Sequence, residues 1–229
     1  MLHEAHQNLG ANFELRELQH RTRNNLQIVA ALLRMQARKT TTAEAADVLN
    51  AAADRIIAFE QINTCLEKSK DGSASPQTLL TALAQRIENA LIGSRPIRIS
   101  VDACDLQLHP NMSTAIGLIA NELVTNALKY AFPNGRSGKI VLICRCIRND
   151  LHLVVKDNGI GLSGEMVPGL GVQLVRALVQ QHGGTIETEK CGGLAWQISL
   201  PLDGQLSTYQ KTVLSATHEI RTSPTRKDF

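Results

Sequence analysis

An α + α/β architecture, an N-terminal antiparallel helical hairpin followed by one sheet with helices on one face, is what this sequence predicts. Three observations predict it. Apolar residues recur at helix-face spacing through the first 66 positions, interrupted only at Lys39-Thr40-Thr41-Thr42. A polar, turn-rich stretch, K-S-K-D-G-S-A-S-P at 68–76, then closes that pattern. Beyond it, helical runs alternate with short segments of strand periodicity.

The elements follow in order. Leu9, Phe13, Leu18, Asn25, Leu26, Val29, Leu32, Leu33 and Gln36 mark one face of the first helix. Thr41, with Glu44 three residues on, signals a capping box for the second, along which Leu49, Ala52, Ile56, Phe59, Asn63 and Leu66 share a face. Residues 1–39 carry six Lys/Arg against three Asp/Glu, and residues 40–70 carry five Asp/Glu against three Lys/Arg. That contrast fits either two solvated faces or helices pairing across the hairpin. Two such helices cannot bury every apolar stripe between themselves, so a homodimer through residues 10–66, forming a four-helix bundle, is expected.

Pro76 opens a helix through Ile92, with Leu79, Leu80, Leu83, Ile87 and Leu91 inward. Ile97–Val101 reads as a strand and Pro110–Ala131 as a helix. Lys139–Ile147 and Leu151–Asp157 read as a β-hairpin turning at Asn149-Asp150. Gly171–His182 reads as helix, then Thr185–Glu189 and Leu194–Leu200 as strands, so the sheet should be mainly antiparallel. The domains are expected at 1–70 and 71–203, with 204–229 a polar, mobile tail.

Composition narrows the function. The 229 residues, 43% hydrophobic, suit one or two domains with a real core. Aromatics at 3% are too few for a base-stacking surface, and a net charge of +3 is too small to imply a polyanion, so no nucleic-acid partner is expected. Five cysteines without a C-x-x-C pair argue against both a disulfide framework and a zinc site. With no long apolar run and no secretory leader, a cytoplasmic protein without membrane contact is expected.

Three clusters could carry chemistry. In E-L-Q-H-R-T-R-N-N-L-Q at 17–27, Asn24 lies one turn after His20 and Glu17 one turn before it. An imidazole with a pKa near ~6.5 is largely neutral at pH 7, hence nucleophilic, and Arg21 and Arg23 suit phosphate. In N-E-L-V-T-N-A-L-K-Y at 121–130, Glu122, Asn126 and Lys129 share a helical face. That stripe suits a magnesium–triphosphate: Asn126 as metal ligand, Lys129 on phosphate, Glu122 as base or in support. In K-D-N-G-I-G-L at 156–162, Asp157 can accept an exocyclic amine, and Gly159 and Gly161 let the backbone approach a flat ring. Gly169 and Gly171 then precede a helix whose amides can meet phosphate. Singly these are weak signals: an exposed histidine, a polar helix face and ordinary turns would look alike. Their order in one chain is the strong one.

In that order they resemble a bacterial sensor histidine kinase over residues 10–202. The 121–130 stretch is similar to the N box of the GHKL ATPases, and D-N-G-I-G-L and G-L-G-V-Q-L-V to their glycine boxes. H-R-T-R-N-N-L-Q at 20–27 resembles the HisKA subclass whose phosphoacceptor is followed by Arg, close to the HWE group. The resemblance implies a GHKL (Bergerat) sandwich, ATP and Mg²⁺, His20 as phosphoacceptor, Asn126 on the metal, Asp157 on adenine, and a short ATP-lid at Ser163–Pro168. It implies transfer to a response-regulator receiver domain. Leu194 stands where the family has a threonine at the adenine rim, so weak ATP binding and a few-fold tightening in Leu194→Thr are expected. Only 19 residues precede His20, so the signal is expected through a sensory partner protein, or this chain is part of a longer sensor. The alternative is a non-catalytic histidine phosphotransferase or scaffold of the same fold, which intact glycine boxes disfavour.

Overall fold

The computed structural model describes residues 2–67, 73–93, 95–161 and 169–202, with side chains from Glu17 onward. The linker core at 68–72, the lid at Ser163–Pro168 and the tail at 204–229 lie outside the described residues. Two compact units divide the chain, Met1–Gln61 and Ile62–Phe229.

The first unit is the expected hairpin: α1 (Leu2–Lys39) and most of α2 (Ala43–Leu66). Small residues form its seam, with Ala30 and Ala37 of α1 and Ala53 and Ala58 of α2 all buried. The charge contrast between the helices resolves into pairing. Arg23 Nε meets Glu60 Oε1 at 2.9 Å, and Arg34 Nη2 meets Asp54 Oδ1 at 2.9 Å. Thr42 rather than Thr41 caps α2: its Oγ1 accepts the Ala45 amide at 3.3 Å and its carbonyl accepts Ala46 N–H at 3.1 Å. The helix starts one residue later than the capping-box spacing implies, which puts Ala45, not Glu44, at the third helical position.

In the second unit α3 runs Pro76–Ile87, with Ser75 at its N-cap accepting the Thr78 amide. A π-helical turn, Glu88–Ile92, replaces the expected continuation. The wider turn shifts the helical phase by about one residue, so Ile92 is buried and Leu91, expected inward, is 48% exposed.

A five-stranded sheet in the order β1-β2-β3-β5-β4 carries the rest: β1 (Ile97–Ala103), β2 (Gly138–Ile147), β3 (Asp150–Asp157), β4 (Thr185–Lys190) and β5 (Leu194–Pro201). β1 and β2 are parallel and the other pairs antiparallel. The β2–β3 turn is Arg148-Asn149, one residue before the expected position, since Ile147 pairs with Asp150; Arg148 takes a positive φ of 57°. The helices α3, α4 (Pro110–Tyr130) and α5 (Leu170–Gln181) pack against the sheet. Ile116, Ile119 and Leu123 of α4 and Ile140, Leu142, Leu151 and Leu153 of the central strands are all at most 1% exposed. Burying each such side chain contributes roughly 1.5–3 kcal/mol, so α4 is fixed along its length.

Candidate functional site

Strand parity places Asp157. β3 alternates half-exposed and buried residues, and Leu151, Leu153, Val155 and Asp157 all take the buried phase. The carboxylate therefore ends a row of core side chains and is itself 5% exposed. Its Oδ1 accepts two main-chain N–H groups, from Gly159 at 2.8 Å and Leu194 at 3.3 Å. Among the described residues nothing engages Oδ2, which leaves one oxygen to receive a donor from outside.

The glycines around it have separate reasons. A Cβ on Gly159 would stand 2.3 Å from the Ala131 carbonyl, at the end of α4, and the neighbouring Ile160 amide bonds that same carbonyl at 3.0 Å. Gly161 takes a φ of +68°, a left-handed conformation natural to glycine. Gly193, which the sequence reading did not assign to the site, lies against Asp157 from the β4–β5 turn. The doublet Gly192-Gly193 was the signal available for it. Gly169 is the N-cap of α5 with no side-chain cap, and Gly171 is buried in the first turn. The C-terminal end of α4, the first glycine turn and the β4–β5 turn thus meet at Asp157.

Along α4, Glu122 is buried at 7% exposure and is engaged by neighbouring groups, and Asn126, one turn on, is half-buried. Lys129 and Tyr130 are exposed at the helix end, Tyr130 at 71%. Two arginines brace the helix: Arg86 donates to Asn121 Oδ1 at 2.6 Å and Arg95 to the Leu128 carbonyl at 3.0 Å. Leu194 is divided between two surroundings: its amide serves Asp157, while its half-buried side chain packs against the core.

His20 is on α1, in the other unit, exposed, with Asn24 exposed one turn away. Glu17 is also exposed and is paired with Arg21, whose Nε lies 3.0 Å from Glu17 Oε1. The step of four favours this pair over the step of three to His20, because the guanidinium carries a full charge.

A strand-end carboxylate flanked by glycine turns, beneath a helix bearing a polar stripe, defines a GHKL-type ATP-binding domain, here preceded by a helical hairpin. The comparisons agree. Residues 17–91 match the family described as histidine kinase, and residues 111–204 match the histidine kinase-, DNA gyrase B- and HSP90-like ATPases. The sensor histidine kinase PdtaS of Mycobacterium tuberculosis H37Rv is 34% identical over 170 residues, 72% of this chain and 34% of that protein. Blue-light-activated histidine kinase 2 of Erythrobacter litoralis is 26% identical over 202 residues, 84% of this chain and 58% of that one. The solved histidine kinase domain of the Erythrobacter litoralis blue-light kinase superposes with a TM-score of 0.58 at 26% identity, covering 83% of this chain and 94% of that chain. This chain belongs to the histidine kinases, of the HWE-like kind. It spans about a third of the length of the PdtaS proteins it matches.

Proposed function

We propose that this chain moves the γ-phosphoryl group of ATP onto His20 and then to an aspartate of a response-regulator receiver domain. Asp157 supports the reading most. A buried carboxylate with one oxygen held by two amides and the other open is preorganised to accept a hydrogen bond from the adenine amine. Gly159 and Gly161 admit the ring, and the amides at Gly169 and Gly171 and the ammonium of Lys129 meet phosphate oxygens. Asn126 supplies a hard oxygen that suits Mg²⁺, and Glu122, one turn back, serves as base. The ion would neutralise phosphate charge. In the transfer an N–P bond forms on the imidazole while the bond from the γ-phosphorus to the β-phosphate oxygen breaks and ADP leaves. Glu122 takes the imidazole proton. Glu17, held by Arg21, and Asn24 orient the acceptor turn.

The hairpin reads as a homodimer interface. Leu18, Ile28, Val29, Leu32 and Met35 of α1 and Val48 and Phe59 of α2 are each at least 36% exposed, apolar side chains that a second copy could cover. A sensory partner supplies the stimulus. The five cysteines are unpaired, which suits the cytoplasm, and among the described residues no helix is long and apolar enough to cross a membrane.

Purified protein given Mg²⁺ and γ-labelled ATP is expected to hold a phosphate stable to base and lost in acid, as a phosphoramidate is. His20→Ala should abolish the label and keep ATP binding. An acid-stable phosphate, or a retained label in His20→Ala, moves the acceptor elsewhere.

A further inference from the structure

Where β1 ends, three cysteines come together for which the kinase reading has no use. Ala103 pairs with Cys144 in the parallel ladder, and the next residue, Cys104, donates its amide to the Cys144 carbonyl at 2.9 Å. That bond sets Cys104 one strand across and one residue along from Cys144, so the two Cα atoms lie roughly 6 Å apart, inside the ~4.4–6.8 Å a disulfide requires. Cys144 is fully buried, and Cys104, half-buried, packs against the same core. Cys146, two residues along β2, is exposed, and its thiol points to the Arg148 carbonyl at 3.9 Å.

We propose that Cys104 and Cys144 form a reversible redox-modification site, oxidised by hydroperoxides to a disulfide that ties the end of β1 to β2. The surroundings give the two sulfurs different parts. The Cys144 thiol beside it, aided by the main chain at Leu106, Cys104 and Cys146, holds the Cys104 thiol down at about 6. Cys144 is pushed up by the neighbouring Cys104 thiol and by burial, and Cys146 is pushed up by partial burial and by its neighbour Cys104. The half-buried Cys104, lowered and less buried than Cys144, is thus the readier of the pair to react as thiolate, ahead of the more exposed Cys146.

In the first step the Cys104 thiolate attacks a peroxide oxygen. An S–O bond forms, the O–O bond breaks, and hydroxide leaves to take up a proton as water. In the second step Cys144 sulfur attacks the sulfenic acid, an S–S bond forms, and the hydroxyl departs with the Cys144 proton as a second water. The two thiols lose two electrons and hydrogen peroxide gains them. Dithiol reductants reverse the change. Cys144 pairs with Leu153 of β3, four rungs from the pairing of Ile140 with Asp157, so the bond forms away from the candidate nucleotide site.

Tryptic mapping tests this on the whole chain, because cleavage after Arg98, Lys129, Lys139, Arg145 and Arg148 puts the three cysteines in separate peptides, 99–129, 140–145 and 146–148. Protein treated with equimolar hydrogen peroxide and then alkylated should give peptide 99–129 linked to 140–145, and the link should vanish with dithiothreitol. Cys146→Ser should leave the link intact. Cys144→Ser should leave Cys104 as a sulfenic acid that dimedone traps. A link to 146–148, oxidation confined to Cys146, Cys104 found only as sulfinic or sulfonic acid, or no oxidation at Cys104 overturns the proposal.

Discussion

Gly193 lies so close to Asp157 that a Cβ on it would stand 2.1 Å from the Asp157 carbonyl oxygen and 2.9 Å from Oδ1. The backbone of the β4–β5 turn thus forms one wall of the carboxylate's niche. Gly193→Ala has no flexible side chain to displace, so a strand must move. Overpacking of this kind costs about 1–3 kcal/mol, equivalent to roughly 5–150-fold if all of it falls on affinity. Calorimetric titration with ATP should show a large loss, and the melting temperature should fall.

Asp157 has a structural part and a binding part, and two variants separate them. Asp157→Asn retains an acceptor for the Gly159 and Leu194 amides but presents an amide donor where Oδ2 was. It should melt near the parent and lose at least ten-fold in ATP affinity. Asp157→Ala leaves both amides without the carboxylate, at about 1–3 kcal/mol for each if it stays dry, so it should lose stability as well as binding. Equal ATP affinity in parent and Asp157→Asn would remove the adenine assignment.

Leu194 refines the expectation drawn from its position. Its amide serves Asp157 whatever the side chain, and its side chain contributes packing. Leu194→Thr should therefore lower the melting temperature through a loss of about 1–2 kcal/mol of apolar burial. ATP affinity should stay within a few-fold of the parent. A clear tightening would mean the hydroxyl reaches the adenine pocket.

The apolar stripe on the hairpin makes a prediction about assembly. Leu32 is 50% exposed in the C-terminal third of α1, so Leu32→Glu places a charge in the proposed interface at little cost to one chain. Sedimentation velocity should show the dimer weakened at least ten-fold, with helix content unchanged by circular dichroism. A parent that stays monomeric at every concentration would mean that another surface covers the stripe.

The regular elements were legible because apolar periodicity dominates them, as in α4, whose row Met112, Ile116, Ile119 and Leu123 is buried throughout. The strand that ends at Asp157 was legible too, but its burial pattern, which turns Asp157 inward, is a finding of the structure. What escaped turns on a single residue. The π turn at Glu88–Ile92 leaves composition unchanged and only rotates the faces, which exchanged Leu91 for Ile92. Thr41 and Thr42 are chemically equivalent caps, and only backbone geometry selects the second. Glu17 could reach a partner at either of two steps, and periodicity gives no weight to Arg21 over His20. Gly193 owes its role to a close approach across strands far apart in sequence.

One feature of α3 and the π turn after it bears on how copies of the protein can associate. The outward N–H groups of Ile99 and Ala103 are taken by Glu88 Oε1 at 3.1 Å and Gln77 Oε1 at 3.0 Å, so the β1 margin of the sheet offers those donors to no other strand. The opposite margin is β4, where Glu187, Glu189 and Lys190 are exposed and set charge against an incoming chain. Templated growth of the sheet is thereby hindered at one side, where two donors are already taken, and guarded against at the other by charge. Where copies pair through their hairpins as proposed, their sheets need not fuse, and the pairing surface is kept separate from the kind that would aggregate them.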